Sequence, residues 1–459
     1  MTEHVYPRRQ EAAFRVPVAR TVAAASFAAF GFRIGALVAW AITGVIVARA
    51  LAVEDRGVYA ATVVGVTAIV SLLSGVAAAG GQAVARRGAR PEAAIGAGMW
   101  VGLVAGLLCL AAGLLLSGPI PGPFGRAVLL AGAVAFAAVV RNTIATAGLA
   151  RERTWVFNLG MHGPAFASLA LMAVLWLTGR LGSADAALAV WAVAQWVSLV
   201  VVALLCPRWV AGALRAGGRR LLSDQARFAV LAGLTGLVAL LGARVDLLVV
   251  SVMTGSYGAG LYATASATLD ILGAAGIAIA AGLYGRIGAA PSDEAARLTV
   301  SGVRLAFIAV AIPAAVLLVL APTAIDVVFG ARYVPAAAAV RVMCVAAIAW
   351  APQTLLATYF VVHRGRAGLG LAVTAAGAFI EAALCVALIP WLGITGGAVA
   401  SLVAYAITLT IFMGLFRRAT GLPFTSLIPV RDKDSGSDRL TRATVAARFA
   451  RAVRRAAGP

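Results

Sequence analysis

Long apolar stretches alternate with short polar connections along almost the whole chain. A membrane-spanning helix needs about 20 apolar residues, and runs of roughly that length recur along the sequence. We place them at 24–48, 58–80, 93–117, 126–149, 155–178, 184–206, 225–250, 258–283, 299–321, 336–362, 367–390 and 393–416. The runs are continuous rather than alternating, which predicts helices and excludes the strands of a membrane barrel. The pattern therefore predicts an all-α integral membrane protein of about a dozen transmembrane helices.

Composition supports the same class of protein. Of the 459 residues, 62% are hydrophobic and only 12% are charged, whereas about a quarter of the residues in a soluble domain are charged. The four cysteines lie singly within apolar runs, without the paired spacing of a disulfide framework or metal site. We therefore expect them to be packed as small apolar side chains. They are Cys109, Cys206, Cys344 and Cys385.

The two halves of the chain carry a similar short segment at the same relative position. The second predicted helix opens with GVYA at 57–60, and the eighth opens with GLYA at 260–263. Six helices per half is an arrangement that several secondary transporters share. We therefore predict two six-helix lobes around a central cavity. The expected parts are an N-tail (1–23), an N-lobe (24–206), a linker (207–224), a C-lobe (225–416) and a basic C-tail (417–459).

The distribution of basic residues predicts the orientation. The net charge is +21, and 29 of the 38 basic residues lie in the tails and connections on one side of the predicted membrane. By the positive-inside rule this side is cytoplasmic, so we predict a multi-pass protein of the cytoplasmic (inner) membrane with both termini in the cytoplasm. Because these charges follow the membrane connections, no nucleic-acid partner is expected.

The C-tail carries a pattern typical of an interfacial helix. Val445, Phe449 and Val453 recur at four-residue steps, with arginines on roughly the opposite face. Such a helix binds anionic lipid headgroups. The alternative is a disordered basic tail.

No enzyme signature is present in the sequence. The three histidines (His4, His162 and His363) are scattered, and there is no Walker lysine motif or large extracytoplasmic loop. We therefore expect a protein that is not an enzyme and that uses no cofactor or metal. The one local acidic pair on the non-cytoplasmic side, in Glu54-Asp55-Arg56, is interpreted as part of a solvated loop.

The candidate functional residues are ionisable groups inside the apolar runs. Each costs at least ~2.5–3.5 kcal/mol at the bilayer centre, so each is expected to face a cavity or a partner. Guanidinium groups match pyrophosphate bidentately and keep their charge. The candidate substrate-binding residues are Arg33, Arg141 and Arg244, and the candidate coupling or cavity acids are Asp246, Asp270 and Glu381.

Simpler interpretations of these residues remain open at the level of sequence. Arg33 and Arg141 lie within reach of the headgroups and are long enough to snorkel to them. Arg244 and Asp246 are close enough in sequence to neutralise each other. Asp270 and Glu381 are open to a purely structural pairing with an arginine or a polar neighbour.

Three segments of the chain carry motifs of a known family. RVDLLVV at 244–250, followed by GLYA at 260–263, resembles the helix 7–8 signature of the polysaccharide and O-antigen flippases, which belong to the multidrug/oligosaccharidyl-lipid/polysaccharide exporter superfamily. DVVFGARYVPA at 326–336 resembles the short loop before their helix 10, and LIPWLGITGGAVAS at 388–401 is similar to their helix 11–12 junction. The likeness covers roughly residues 25–416.

The resemblance implies two six-helix lobes that alternate between inward-open and outward-open states. It implies a flippase that moves undecaprenyl-pyrophosphate-linked oligosaccharide across the cytoplasmic membrane for cell-surface polysaccharide biosynthesis. The implied partners are the polyprenyl-linked glycan substrate and other polysaccharide-assembly proteins. Glu381 stands where the family often has asparagine, which leaves the coupling ion open.

Three alternatives are kept. A proton- or sodium-coupled multidrug antiporter of the same superfamily usually has an acid in helix 1, where this chain has Arg33. A lipid II flippase typically has two more helices and a denser arginine cluster. A binding or scaffold protein of the polysaccharide machinery is the third.

Overall fold

The computed structural model of the protein describes residues 17–116, 123–216 and 218–427, and every regular element in these ranges is helical. The α-helices are α1 (Pro17–Ala50), α2 (Val53–Leu73), α3 (Gly75–Arg87), α4 (Pro91–Leu116), α5 (Pro123–Ala150), α6 (Thr154–Leu177), α7 (Ala184–Leu205), α8 (Pro207–Ala216), α9 (Arg219–Ala289), α10 (Ser292–Val328), α11 (Ala337–Thr358), α12 (Ala367–Leu392) and α13 (Ile394–Thr420). Short 3-10 helices cover Ala331–Ala336 and Phe424–Ser426, and a π-helix covers Tyr359–His363.

Within these ranges, eleven helices are long and apolar enough to cross a membrane. One of them, α9, has 71 residues and is interrupted at Gly255, whose φ of 71° and ψ of −171° reverse the chain. A positive φ favours glycine because other residues would strain there. Each arm of α9, at 219–254 and 256–289, is long enough to span. All twelve predicted spans are therefore present, and the all-α membrane class is confirmed.

One predicted span, 58–80, differs in detail. It begins earlier, at Val53, and is broken at Ser74 into α2 and α3. At the break, a Cβ on Gly75 would lie 2.0 Å from the carbonyl oxygen of Ala229 in the first arm of α9. The two backbones therefore pack directly against each other, which only a residue without a side chain allows at this point.

The boundaries of the predicted linker and tails also shift. Residues 207–216 of the predicted linker form the short helix α8, and α9 already begins at Arg219, so 219–224 are helical. In the same way α1 begins at Pro17 and α13 continues to Thr420. The predicted interfacial helix of the C-tail lies outside the described residues.

Most of the apolar packing lies within one half of the chain or the other, although Ala48 and Val53 join the cluster of the second half. In the second half one large cluster joins α9 to α13 and includes the buried side chains of Tyr262, Met343 and Phe416. In the first half separate clusters form around Trp191 and around Ile144. Between the halves lies a central cavity, as the two-lobe prediction requires.

The two similar segments of the sequence meet face to face. A Cβ on Gly57 would lie 1.8 Å from the carbonyl oxygen of Ser256, and one on Gly260 would lie 1.9 Å from that of Val53. The halves are thus in backbone contact at the end of the bundle where α9 turns, which we call the Gly255 end. The opposite end, where α8 joins α9, is the Gly218 end.

Candidate functional site

The central cavity has a volume of about 1170 Å³. Helices α1, α2, α3, α5, α6, α7, α11 and both arms of α9 line it, together with Phe329 at the end of α10, and most of the lining side chains are apolar. Four charged residues contribute to the lining, three basic and one acidic, so its formal charge is +2. They are Arg56, Arg141, Arg244 and Asp270.

Arg141 lies on α5, and its side chain is buried, with only 6% of the residue exposed. Its guanidinium donates to the Oε1 atom of Gln195 at 2.6 Å and to the Oδ1 atom of Asn142 at 3.3 Å. In the part of the chain that the structure describes, it forms no ion pair. The sequence prediction that Arg141 faces a cavity agrees with this position, and snorkelling to the headgroups does not.

Arg56 is a cavity residue that the sequence analysis missed. The expected solvated loop at 54–56 is wrong, because these residues form the first turn of α2 and Arg56 is only 4% exposed. Its guanidinium donates to Thr264 Oγ1 at 2.6 Å and lies over the rings of Phe329 and Tyr333, 5.0 and 4.7 Å from their centres. Its position next to the Gly57 segment, which repeats at Gly260, was the available signal.

Arg244 and Asp270 form an ion pair across the two arms of α9. The Nη2 atom of Arg244 lies 2.6 Å from the Oδ2 atom of Asp270, and both side chains are partly exposed to the cavity. The sequence left open whether Arg244 neutralises Asp246; the structure pairs it with Asp270 instead. This pair is formally neutral, so the excess positive charge of the lining comes from Arg56 and Arg141.

Asp246 and Glu381 lie in a buried polar cluster of the second half rather than in the cavity lining. Each is 1% exposed. Asp246 accepts from Tyr262 at 2.7 Å and from Ser401 at 3.2 Å. Ser401 on α13 also lies beside Glu381 of α12, whose Oε1 atom has no hydrogen-bond partner among the described residues. Two acids from α9 and α12 thus meet at one serine.

Arg33 is the one predicted site residue that the structure leaves apart from the others. It is exposed on α1 and does not belong to the cavity lining. Substrate binding by Arg33 therefore stays a prediction from the sequence. Arg33 lies on the same face of α1 as Leu37 and Trp40, which line the cavity, but one residue before Ile34, where the part of α1 that lines the cavity begins.

Polar contacts join the two halves at the Gly255 end. Arg49, at the end of α1, donates to the carbonyl oxygens of Val327 and, at 3.0 Å, Val328, in the last turn of α10. Arg332 donates in return to the carbonyl oxygen of Arg49 at 2.7 Å. These polar contacts join the halves beside the backbone contact of Gly57.

Several solved structures have an architecture similar to that of this chain. A structure of the lipid II flippase MurJ in an inward closed conformation matches with a TM-score of 0.66 and 9% identity, covering 87% of this chain and 88% of that one. The chain has the fold of that flippase. A crystal structure of a MATE protein matches with a TM-score of 0.50 and 15% identity, covering 84% of this chain and 96% of that one.

A third match has a lower structural score. It is a MOP superfamily transporter from Pyrococcus furiosus, with a TM-score of 0.48 and 16% identity, covering 84% of this chain and 95% of that one. No protein-family model and no curated protein matches the sequence. The comparisons therefore show the fold of the chain alone, and its function has to be argued from the cavity.

Proposed function

We propose that this protein is a flippase that translocates an anionic, polyprenyl-linked oligosaccharide across the cytoplasmic membrane for cell-surface polysaccharide biosynthesis. The substrate we expect carries an undecaprenyl pyrophosphate. The observation that carries the proposal is the pair of buried guanidinium groups of Arg56 and Arg141 in the cavity wall, neither of which forms an ion pair among the described residues.

An unpaired buried charge is costly, and arginine does not relieve this cost by losing its proton. Ionisable groups at membrane depth therefore serve a pathway or a partner. A cavity whose lining has an excess of two positive charges suits an anion and repels a cation. The phosphates of a lipid pyrophosphate are such an anion, and guanidinium groups bind phosphate through two parallel hydrogen bonds.

The charged residues also lie at successive depths. With a rise of 1.5 Å per residue, Arg56 lies roughly 5 Å, Arg244 roughly 15 Å and Arg141 roughly 27 Å from the helix ends at the Gly255 end. A pyrophosphate that moves along the cavity would thus meet the unpaired guanidinium groups of Arg56 and Arg141 at two depths, with the Arg244–Asp270 ion pair between them. An inside-negative potential would assist its outward movement by ~2.3 kcal/mol per charge per 100 mV.

The apolar and aromatic side chains of the lining suit the polyprenyl chain and the sugars of such a substrate. Apolar side chains from α1 and the second arm of α9, among them Ile34, Val38 and Ile271, line the cavity and are themselves exposed. The aromatic rings of Trp40 and Tyr59 also belong to the lining. Aromatic side chains present an apolar face and a polar tip, a combination that suits amphipathic ligands.

The buried cluster of Asp246, Glu381 and Ser401 is the proposed coupling site. Two carboxyl groups that lie close together in an apolar environment cannot both be charged at low cost. A proton held by this pair therefore offers a second energy source besides the membrane potential. This assignment extends the prediction made for the two acids from the sequence.

The decisive experiment is leaflet-resolved detection of a labelled polyprenyl-pyrophosphate glycan in vesicles that contain only this protein. We expect transfer between leaflets by the wild type and its loss in the double variant Arg56→Gln/Arg141→Gln. The matched control is Arg180→Gln, which removes a charge from an exposed turn. Wild-type transfer by the double variant would refute the electrostatic basis of the proposal.

The multidrug antiporter is tested in the same vesicles. Efflux of a cationic dye against its gradient, unaffected by Arg56→Gln/Arg141→Gln, would favour an antiporter and contradict the flippase. We expect no such efflux, because the cavity lining has an excess of positive charge.

A lipid II flippase is the second candidate, favoured by the match to MurJ over most of both chains. The vesicle assay separates the two candidates when labelled lipid II and the labelled polyprenyl-linked oligosaccharide are offered together. Preferential transfer of lipid II would assign the protein to that substrate instead.

A further inference from the structure

A second cavity lies at the Gly218 end, apart from the central one. It has a volume of about 920 Å³ and is formed by the connections that precede α4 and α6, the first turn of α4, and α8. Four arginines and one acid line it, so its formal charge is +3. These residues are Arg90, Arg151, Arg153, Arg215 and Glu92.

Contacts between three segments hold this cavity in shape. The guanidinium of Arg151 donates to the carbonyl oxygen of Ala89 at 3.4 Å, which joins the two connections. The guanidinium of Arg153 lies over the ring of Trp209 on α8, 4.9 Å from its centre. A Cβ on Gly212 would lie 2.5 Å from Cγ of Glu92, so α8 packs closely on the first turn of α4.

The turn at 151–153 presents both of its arginines to the cavity. Glu152 between them has a φ of 60°, in the left-handed region, and does not belong to the lining. The four arginines are exposed, and none forms an ion pair among the residues that the structure describes. The lining therefore offers several guanidinium groups to one anionic ligand.

The position of the cavity identifies the source of that anion. The apolar spans of α4, α5, α6 and α7 all reach their ends here. Leu204 and Leu214, 73% and 76% exposed, and the partly exposed Trp155 lie beside the same surface. Exposed leucine and tryptophan at the ends of spans mark contact with lipid at the level of the headgroups.

We propose that this cavity binds the phosphate group of an anionic phospholipid in the leaflet at the Gly218 end. Guanidinium groups bind phosphate through paired hydrogen bonds, and basic pockets between the ends of membrane helices recognise acidic headgroups. The bound lipid would tie α8 to the connections of the first half. Since α8 leads directly into α9, the same lipid would stabilise the joint between the two halves.

The test measures binding of phosphatidylglycerol to the purified full-length protein by native mass spectrometry. Arg151→Gln/Arg153→Gln is expected to weaken binding by about tenfold, through loss of two guanidinium–phosphate contacts. The matched control is Arg364→Gln/Arg366→Gln. It removes two exposed arginines from the corresponding turn of the second half, where Gly365 has a φ of 64°. The control should bind as the wild type does.

A variant that binds the lipid more tightly tests the site independently, because poor folding cannot produce tighter binding. Glu92→Gln removes the one acid of the lining and should tighten the binding of phosphatidylglycerol by about twofold to fivefold. Phosphatidylcholine, with no net charge, should not compete.

Three results would overturn the proposal. The first is equal weakening by the two arginine pairs, which would indicate a general effect of charge. The second is equal binding of the two lipids. The third is binding of inorganic phosphate without phosphatidylglycerol, which would assign the site to a soluble anion.

Discussion

Replacing Arg141 by glutamine separates the role of its charge from its role in the fold. Arg141→Gln removes a buried guanidinium that lines the cavity and that is held by Gln195 at 2.6 Å without an ion pair in the described residues. A guanidinium about 4 Å from a unit negative charge, at an effective dielectric constant near 20, attracts it by about 4 kcal/mol. In the variant, water and the amides of Gln195 and Asn142 replace part of this attraction.

The net loss of substrate binding is therefore about 3 kcal/mol, the upper range for a hydrogen bond to a charged group. This corresponds to roughly a 100-fold weaker interaction. Stability should change little, by about 1 kcal/mol or less, because loss of the hydrogen bond to Gln195 is offset by removal of an unpaired buried charge. Transport and stability are thus expected to separate.

The assay combines translocation of the labelled glycan in vesicles with thermal unfolding of the same preparation. Arg141→Lys is the informative companion, because it retains the charge but not the forked geometry, and should fall between the wild type and Arg141→Gln. The reasoning is refuted if Arg141→Gln transports as the wild type does. It is also refuted if the variant loses stability in proportion to transport, since the residue would then be structural.

Three further predictions follow from named contacts. In the variant Gly57→Val, the Cβ alone would lie 1.8 Å from the carbonyl oxygen of Ser256, so the valine side chain does not fit between the halves. We expect the halves to separate at the Gly255 end and net translocation to be abolished. The cavity should then be accessible to an impermeant probe added on that side. Asp246→Asn/Glu381→Gln should remove the dependence of transport on a pH gradient while substrate binding is retained, as measured with imposed gradients. Asp270→Asn should free Arg244 from its ion pair and tighten binding of an anionic substrate analogue by about fivefold, since a half-exposed pair is worth about 1 kcal/mol.

Each of these predictions has a control or a contradicting result. Gly31→Ala has open space for the added Cβ and should behave as the wild type. Unchanged dependence on the pH gradient in the double acid variant would exclude the buried cluster as the coupling site. If Asp270→Asn weakens anion binding, then Arg244 needs Asp270 for its position and does not bind substrate directly.

The twelve spans were predictable because lipid imposes a rule that depends on the sequence alone. A helix that satisfies its own backbone must be apolar over about 20 residues, whatever its neighbours are. The repeated segments at Gly57 and Gly260 likewise indicated two related halves. Even the break at Gly255 lies in a connection that the apolar pattern had marked.

Side-chain partners were not predictable, because helix packing decides them. Arg244 and Asp246 are two residues apart and so point to different sides of the helix, at about 100° per residue. The hairpin at Gly255 instead brings Asp270 to Arg244. In the same way α12 and α13 bring Glu381 and Ser401 to Asp246.

For the candidate site, too, some features follow from the sequence and others only from the tertiary structure. The sequence alone determined that charged residues lie at membrane depth, since apolar runs on both sides leave them no other solvent. Only the tertiary structure decided that Arg56 is buried against Phe329 and Tyr333, while Arg33 is exposed outside the cavity. The physical reason is that burial of one helix face depends on which other helices cover it, and that information is spread over distant parts of the chain.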